Sequence, residues 1–386
     1  MSKIYLGDTL ISNGKGDIIV NVASNPKKYN STQYKTVGNK IYRLILDDDF
    51  TNQNIDKNVW TDNYLISRVN PRYLTYGKHK IENSVLSLIV EPDSTVKSGI
   101  GDLSEATNPL AVSGVQSIEK NALHLTSPVN HDVNPYYGFI AQEGYWEIKC
   151  KCPIGSGVHS AFWLVGIQDQ QSQRYEVDIV EYKGNTPLKF PHGSHNNGNE
   201  PNVTDAYPSQ YTDLQSPLST DFHVIGWLWE SDSMTWFIDG VQIDKLSVTM
   251  PQYPMGIILS LYQRKYGTGW TGDADNTLGT LSFDIDYLRV YKECNQESEA
   301  VTVIGQDVIA VQVGSSYTIN SDFGTLSEMP SYVRMNWSDG SKTEHHVKWE
   351  IITNKIKGYL DNRTPFVWYG YIDELGYTVS ASITFN

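Results

Sequence analysis

Short apolar runs alternate with turn-forming residues along most of this chain, and no amphipathic helix longer than two turns can be read from it. Ser84–Val90 reads S-V-L-S-L-I-V, His223–Trp229 and Met234–Ile238 bracket E-S-D-S, and Asp239-Gly240 supplies a further turn. Runs of this length and spacing predict strands joined by tight reversals. Trp146, Ile148, Cys150 and Cys152 then share one strand face, with Glu147, Lys149 and Lys151 on the other. On that reading the two cysteines are small buried apolar groups, and with Cys294 they are too few for a disulfide framework. Asp284–Tyr291 is the last strand of the block. The pattern predicts an all-β chain built as a β-sandwich or jelly roll.

The 386 residues carry a formal charge of −14, divided unevenly. Residues 1–40 hold six Lys and two Asp and contain two β-like runs, Ile4–Ile11 and Asp17–Val22, before a polar stretch at Pro26–Lys40. So little apolar surface predicts an arm and linker. A second polar break falls at Cys294–Ala300. The expected units are therefore an arm at 1–40, a main sandwich at 41–295 and a smaller module at 301–386. In the last, Val333–Trp337 and His345–Trp349 flank a turn at Ser338-Asp339-Gly340, and Phe366–Ile372 and Tyr377–Phe385 add strands. Its size suits a small seven-strand sandwich.

Several functions drop out. No apolar run reaches membrane-spanning length. A pI near 5.0 argues against nucleic acid as a partner. His192 and His195 lack ligands at zinc spacing, and neither a phosphate loop nor a dinucleotide fingerprint is present. The opening M-S-K-I-Y-L-G-D-T-L-I-S has no secretory leader pattern, which leaves a cytosolic chain, release by lysis or a trimmed leader open.

The chemistry concentrates in Arg174–Gly184, R-Y-E-V-D-I-V-E-Y-K-G. In a regular strand Glu176 and Asp178 share a face, whereas Glu181, five positions after Glu176, points to the other. One β-bulge at Ile179-Val180 restores the phase and brings all three acids to one side. Four effective strand steps separate the two Glu backbones by roughly 13 Å. Side chains converging on a sugar would shorten this toward the ~5–5.5 Å of a retaining glycosidase. Repulsion between carboxylates in a partly desolvated groove divides them into an ionised nucleophile and a protonated acid. A solvated strand face carrying three acids, or an acidic calcium cluster, is the plainer alternative.

E-V-D-I-V-E resembles the bulged active-site motif of glycoside hydrolase family 16, laminarinase-like branch. Other segments agree in order. Leu46–Asn58 with Trp60 resembles the opening "DEF…LD…W", Gly144–Lys149 resembles "GYFEAR", and Gly155–Leu164 resembles "GxGxWPAFWL". Asp221–Gly240 and Asp284–Tyr291 resemble "FHxYxxEW…WYxDG" and "xVDYVRVY". The resemblance covers about residues 41–293 and implies a concanavalin-like jelly roll. It also implies retaining endo-hydrolysis of a β-linked glucan or galactan, with Glu176 as nucleophile, Asp178 as assistant and Glu181 as acid/base. His159-Ser160 stand where Trp-Pro is common and Lys149 where Arg is common, so the substrate is less closely indicated than the machinery.

Sugar rings present flat C–H faces to aromatic platforms. Trp163, at the motif's "FWL" position, and Trp270, in G-T-G-W-T-G-D, are the candidates, and His195 resembles a cleft histidine of family members. Core packing competes for both tryptophans and a surface position for His195. No cofactor is required, although the resemblance extends to a structural calcium, for which Asp49 and Asp286 match in position. Residues 301–386 look like a bacterial immunoglobulin-like module, and K-I-Y-L-G-D-T-L-I is similar to starts of some phage tail-associated proteins. These imply attachment to a virion or cell surface and extracellular action on a polysaccharide. The expected activity is hydrolysis of β-1,3- or mixed β-1,3/1,4-glucan. A galactan hydrolase, a phage capsule depolymerase and a non-catalytic, lectin-like polysaccharide binder are the alternatives.

Overall fold

The computed structural model describes residues 4–6, 9–12, 33–64, 77–91, 110–120, 123, 136–168, 172–204, 210–264, 270–275, 277–295, 302–320, 325–372, 375 and 377–386. Among these residues the architecture is almost wholly β, with a single α-helix at Asn354–Asp361. None of it is long and apolar enough to cross a membrane as a helix.

Two large sheets make the main body. The first holds β1 (Leu110–Gln116), β2 (Ile140–Ala141), β3 (Val158–Gly166), β4 (Tyr175–Lys183), β5 (Lys189–Asn196), β6 (Gln210–Asp213) and β7 (Met255–Arg264). Their order is β2-β7-β3-β4-β5-β6, with β1 also pairing with β7. The nine-stranded second sheet is centred on Gly144–Lys151 and Leu281–Cys294. Period-2 alternation explains the stacking. Phe162 and Leu164 from β3, Val177 and Val180 from β4, and Ile257 and Leu259 from β7 pack against Trp146, Ile148, Cys150, Trp227 and Ile285 of the second sheet. Cys150 and Cys152 are free and buried in that core, on the face expected of them. On the opposite face Lys35 pairs with Glu147, and Lys149 lies 2.7 Å from Asp286.

The arm ends sooner than its composition suggests. Tyr34–Val37 pairs with Lys40–Asp48 as an edge strand of the second sheet, across a turn in which Gly38 takes a φ of 61°. Lys40 then bridges Glu230 and Glu293 at 2.9 Å each, an attachment that a count of polar residues does not reveal. Ile4–Leu6 pairs with Thr9–Ser12 as a hairpin, while the Asp17–Val22 run lies outside the described residues.

The C-terminal module holds one sheet of three strands and one of four around its own core. The expected hairpin forms with its return strand at Lys342–His346, and Gly340 adopts the positive φ its turn needs. The helix was not foreseen. Thr353 caps it, and its buried side is only Ile356 and Leu360, too small an apolar stripe to stand out.

Buried charge joins the module to the main body. Arg43 and Asp339 are both fully buried with Nε and Oδ2 3.0 Å apart, and Arg43 Nη2 donates to Ser341 Oγ at 2.7 Å. The Arg43 guanidinium lies over the Trp337 ring, which is part of the main core. Glu344, also buried, accepts from the Gln142 backbone N–H at 3.1 Å and faces Lys292 and Arg334. Tyr137 stacks on His346 at 4.1 Å between ring centroids, and burial pushes that imidazole down to about 3.

Candidate active site

The register of β3 against β4 positions the acids. Val165 opposes Glu176, Trp163 opposes Asp178, Phe162 opposes Val180 and Ala161 opposes Glu181, which leaves Ile179 without an opposite number. Directly opposed residues in an antiparallel pair project on the same side. Glu176, Asp178 and Glu181 therefore share the face of Val165, Trp163 and Ala161, turned away from the second sheet. Val177 and Val180 go with Leu164 and Phe162 into the core. One unopposed residue performs the phase change that the sequence requires.

Neighbouring strands complete the face. His195 of β5 opposes Glu176, and its Nε2 lies 3.5 Å from Asp178 Oδ2. Asn197, just past the end of β5, donates from Nδ2 to Glu176 Oε2 at 2.7 Å. On the other side His159 of β3 opposes Tyr262 of β7, with ring centroids 5.1 Å apart. The Tyr262 and Tyr64 hydroxyls hydrogen-bond to each other, and both side chains are buried. Gly114 makes room there, because a Cβ at that position would come within 2.5 Å of the Tyr64 ring.

Of the two candidate platforms, Trp163 is 4% exposed and donates from Nε1 to Ser260 Oγ at 3.2 Å, so it lies beneath the face as packing. Trp270 is half-buried, meets His159 edge-on at 4.8 Å and lies under the Lys183 ammonium at 5.1 Å. It thus stands on the Glu181 side of the site. Asp49 and Asp286, the calcium candidates, each have protein partners. Asp49 Oδ1 accepts from the backbone N–H and hydroxyl of Thr51, and Asp286 is paired with Lys149. No group of three or more His, Cys, Asp or Glu that could hold a metal ion occurs among the described residues.

Asn197, Tyr64, Tyr262 and Ser260 escaped the sequence reading. Asn197 follows His195 by two positions and was within reach of the same alternation argument. Tyr64 and Tyr262 are 198 positions apart, and no local pattern links them.

The environment separates the acids chemically. Burial, then the Glu176 and Glu181 charges, push Asp178 well above the usual carboxylate range. Burial and the Glu176 charge push Glu181 up to about 7, against a partial downward pull from Lys183. Near neutrality the face therefore holds carboxyl groups able to donate a proton beside Glu176, whose oxygen is fixed by the Asn197 amide.

The β-sandwich with three acids on the outward face of a bulged strand can be set beside known proteins. Residues 127–289 match the model of glycosyl hydrolases family 16, a stretch that contains all three acids. The chain is 26% identical over 168 residues to a glucan endo-1,3-beta-glucosidase A1 of Niallia circulans, covering 39% of this chain and 24% of that protein. It is also 26% identical over 147 residues to a beta-glucanase of Brevibacillus brevis, covering 37% and 53%. The chain thus spans from about a quarter to about half of the length of these relatives. A GlcNAcα1-4Gal releasing endo-β-galactosidase from Clostridium perfringens shares the fold over 92% of this chain and 82% of its own, with a TM-score of 0.59 at 20% identity.

Proposed function

We propose that this chain is a retaining endo-glycosidase acting on β-1,3- or mixed β-1,3/1,4-glucan. Glu176 is the nucleophile, Glu181 the acid/base and Asp178 the group that holds a proton between them. The observation carrying this reading is the unopposed Ile179, which turns Glu181 to the side of Glu176. In the first step a Glu176 oxygen bonds to the anomeric carbon, the glycosidic C–O bond breaks, and the Glu181 proton passes to the departing oxygen. In the second, water adds to the anomeric carbon, returns a proton to Glu181 and releases Glu176. Protonated Asp178 donates toward Glu176 and limits the charge gathered there. Every step uses side chains and water, so the reaction calls for no cofactor.

The glucan assignment is supported by relatives whose names specify glucan hydrolysis. A galactan is the second reading. It is favoured by His159-Ser160 in place of Trp-Pro, since His159 lies in the cleft against Trp270 and Tyr262. A lectin-like binder has no use for an acid held near neutrality by burial beside a second carboxylate. We read the C-terminal module as immunoglobulin-like and the terminal regions as means of attachment to a cell surface or virion, which places the action outside the cell. Reducing-sugar release from laminarin, lichenan, agarose and carrageenan tests the reading. Release from laminarin or lichenan is expected. Release only from agarose or carrageenan moves the assignment to galactan, and binding without release from any of the four leaves a non-catalytic binder.

A further inference from the structure

Lys183 follows Glu181 by two positions on β4, on the same face and directly opposite His159. Its ammonium sits 5.1 Å from the centre of the Trp270 ring. That ring is held from several directions. Its edge contact with His159 is 4.8 Å, Asn185 Nδ2 reaches the Trp270 carbonyl at 3.5 Å, and the Gly157 N–H donates to the Thr271 carbonyl at 2.8 Å. Gly272 has a φ of 75° and stands so close to Ser156 that a Cβ would lie 2.5 Å from its hydroxyl.

The cation has an unusual setting for so acidic a chain. Lys35, Lys149 and Lys189 each face a carboxylate, whereas Lys183 makes no ion pair with a described residue. A cation held over an aromatic face keeps its three N–H donors for another acceptor. With a net charge of −14, the protein as a whole repels a polyanion, so attraction to one has to come from a local cation.

We propose that Lys183, seated on Trp270, binds an anionic substituent on the sugar ring lodged beside Glu181, so that the preferred polymer carries a sulfate or carboxylate group at that position. The inference rests on the glycosidase reading and deepens it. Trp270 takes the flat face of that sugar, and the ammonium takes the oxyanion at its rim. Lys183 also acts on Glu181 across the strand, among Glu176, Asp178, His159 and His195 on the same face. That influence is felt equally by neutral and charged substrates, so a ratio between matched substrates isolates the binding role.

The test measures kcat/KM on laminarin, sulfated laminarin and carboxymethyl laminarin, with agarose and carrageenan as the galactan pair. The proteins compared are the unaltered chain, Lys183→Met and Lys183→Arg. The charged-to-neutral ratio should fall by about tenfold or more in Lys183→Met, the loss of one charged hydrogen bond, and persist in Lys183→Arg. The sulfated and carboxymethyl arms tell which oxyanion is preferred. A ratio that Lys183→Met leaves unchanged, with only the pH profile moved on every substrate, overturns the proposal. Affinity electrophoresis of Glu176→Gln with and without Lys183→Met, in gels containing each polymer, gives a readout that needs no turnover. Preferential retardation by a charged polymer should be lost with Lys183→Met, and retardation that does not depend on Lys183 overturns the proposal. If the unaltered chain hydrolyses none of these polymers, the glycosidase reading fails while the binding experiment still decides the role of Lys183.

Discussion

Glu181 is where sequence, burial and chemistry meet most closely. Its proton is held up to about 7, so turnover should be lost as the pH rises through that value. Glu181→Gln should cut kcat on polysaccharide by about 10²–10⁴-fold and abolish that alkaline limb, as a pH–rate series would show. Stability responds with a definite sign. The folded protein binds this proton more tightly than the unfolded chain, whose carboxyl titrates near 4.5, so the folded state loses ground as pH climbs from there to about 7. Thermal melts should find Glu181→Gln gaining on the unaltered protein between pH 5 and 8, and a constant difference across that range would contradict the buried-acid account. Asp178→Asn should slow the reaction less than either glutamate change, because an amide, like the protonated acid proposed there, is neutral and has N–H groups to donate, and an equal loss would call for a more direct role. The three acids were legible because the clash between a period of two and a separation of five has few resolutions. Trp163 was left open between platform and packing because an aromatic near acids looks the same in sequence whether it carries a sugar or packs beneath the face.

At the scale of the element, a single inserted residue lets β4 present acids spaced two and five positions apart on one face. Deleting Ile179 leaves E-V-D-V-E, four residue steps in place of five, so Glu181 stays on the side of Glu176 and Asp178 without a bulge and Val180 stays in the core. The expected outcome is a folded protein that still releases reducing sugar, measured together with thermal melting. An inactive deletion variant that melts like the unaltered protein would show that the bulge sets more than the phase of Glu181. Strand identities were readable in apolar-rich runs such as those within Gly144–Lys151 and His223–Glu230, whereas the five alternating residues Ile309–Val313 were passed over. Tyr34–Val37 was not, because an edge strand lends one side of a ladder and needs little apolar content of its own.

For the whole molecule, the C-terminal module is more than a tether. Arg43 and Asp339 are both withdrawn from water across the junction, and Glu344 gathers Lys292, Arg334 and Gln142 on the same seam. Asp339→Ala takes away the carboxylate facing a buried guanidinium and should cost about 3–5 kcal/mol, read from urea unfolding. A loss below 1 kcal/mol would mean that the pair is not desolvated in solution. A chain ending near Glu299 should accordingly melt lower than the intact one. A freely tethered spacer predicts the same melting temperature and full activity on soluble substrate. Nothing in the sequence distinguishes a buried Arg–Asp pair from two surface charges 296 positions apart, which is why the module's docking was invisible before the fold.

The most direct measurement is covalent trapping with a 2-deoxy-2-fluoro β-glucosyl donor of the cleaved linkage, followed by peptide mass mapping. The account predicts one glycosyl group, on Glu176, in a peptide that stays unlabelled in Glu176→Gln. A label on Glu181, or active protein that turns over the donor without any label on β4, would contradict it.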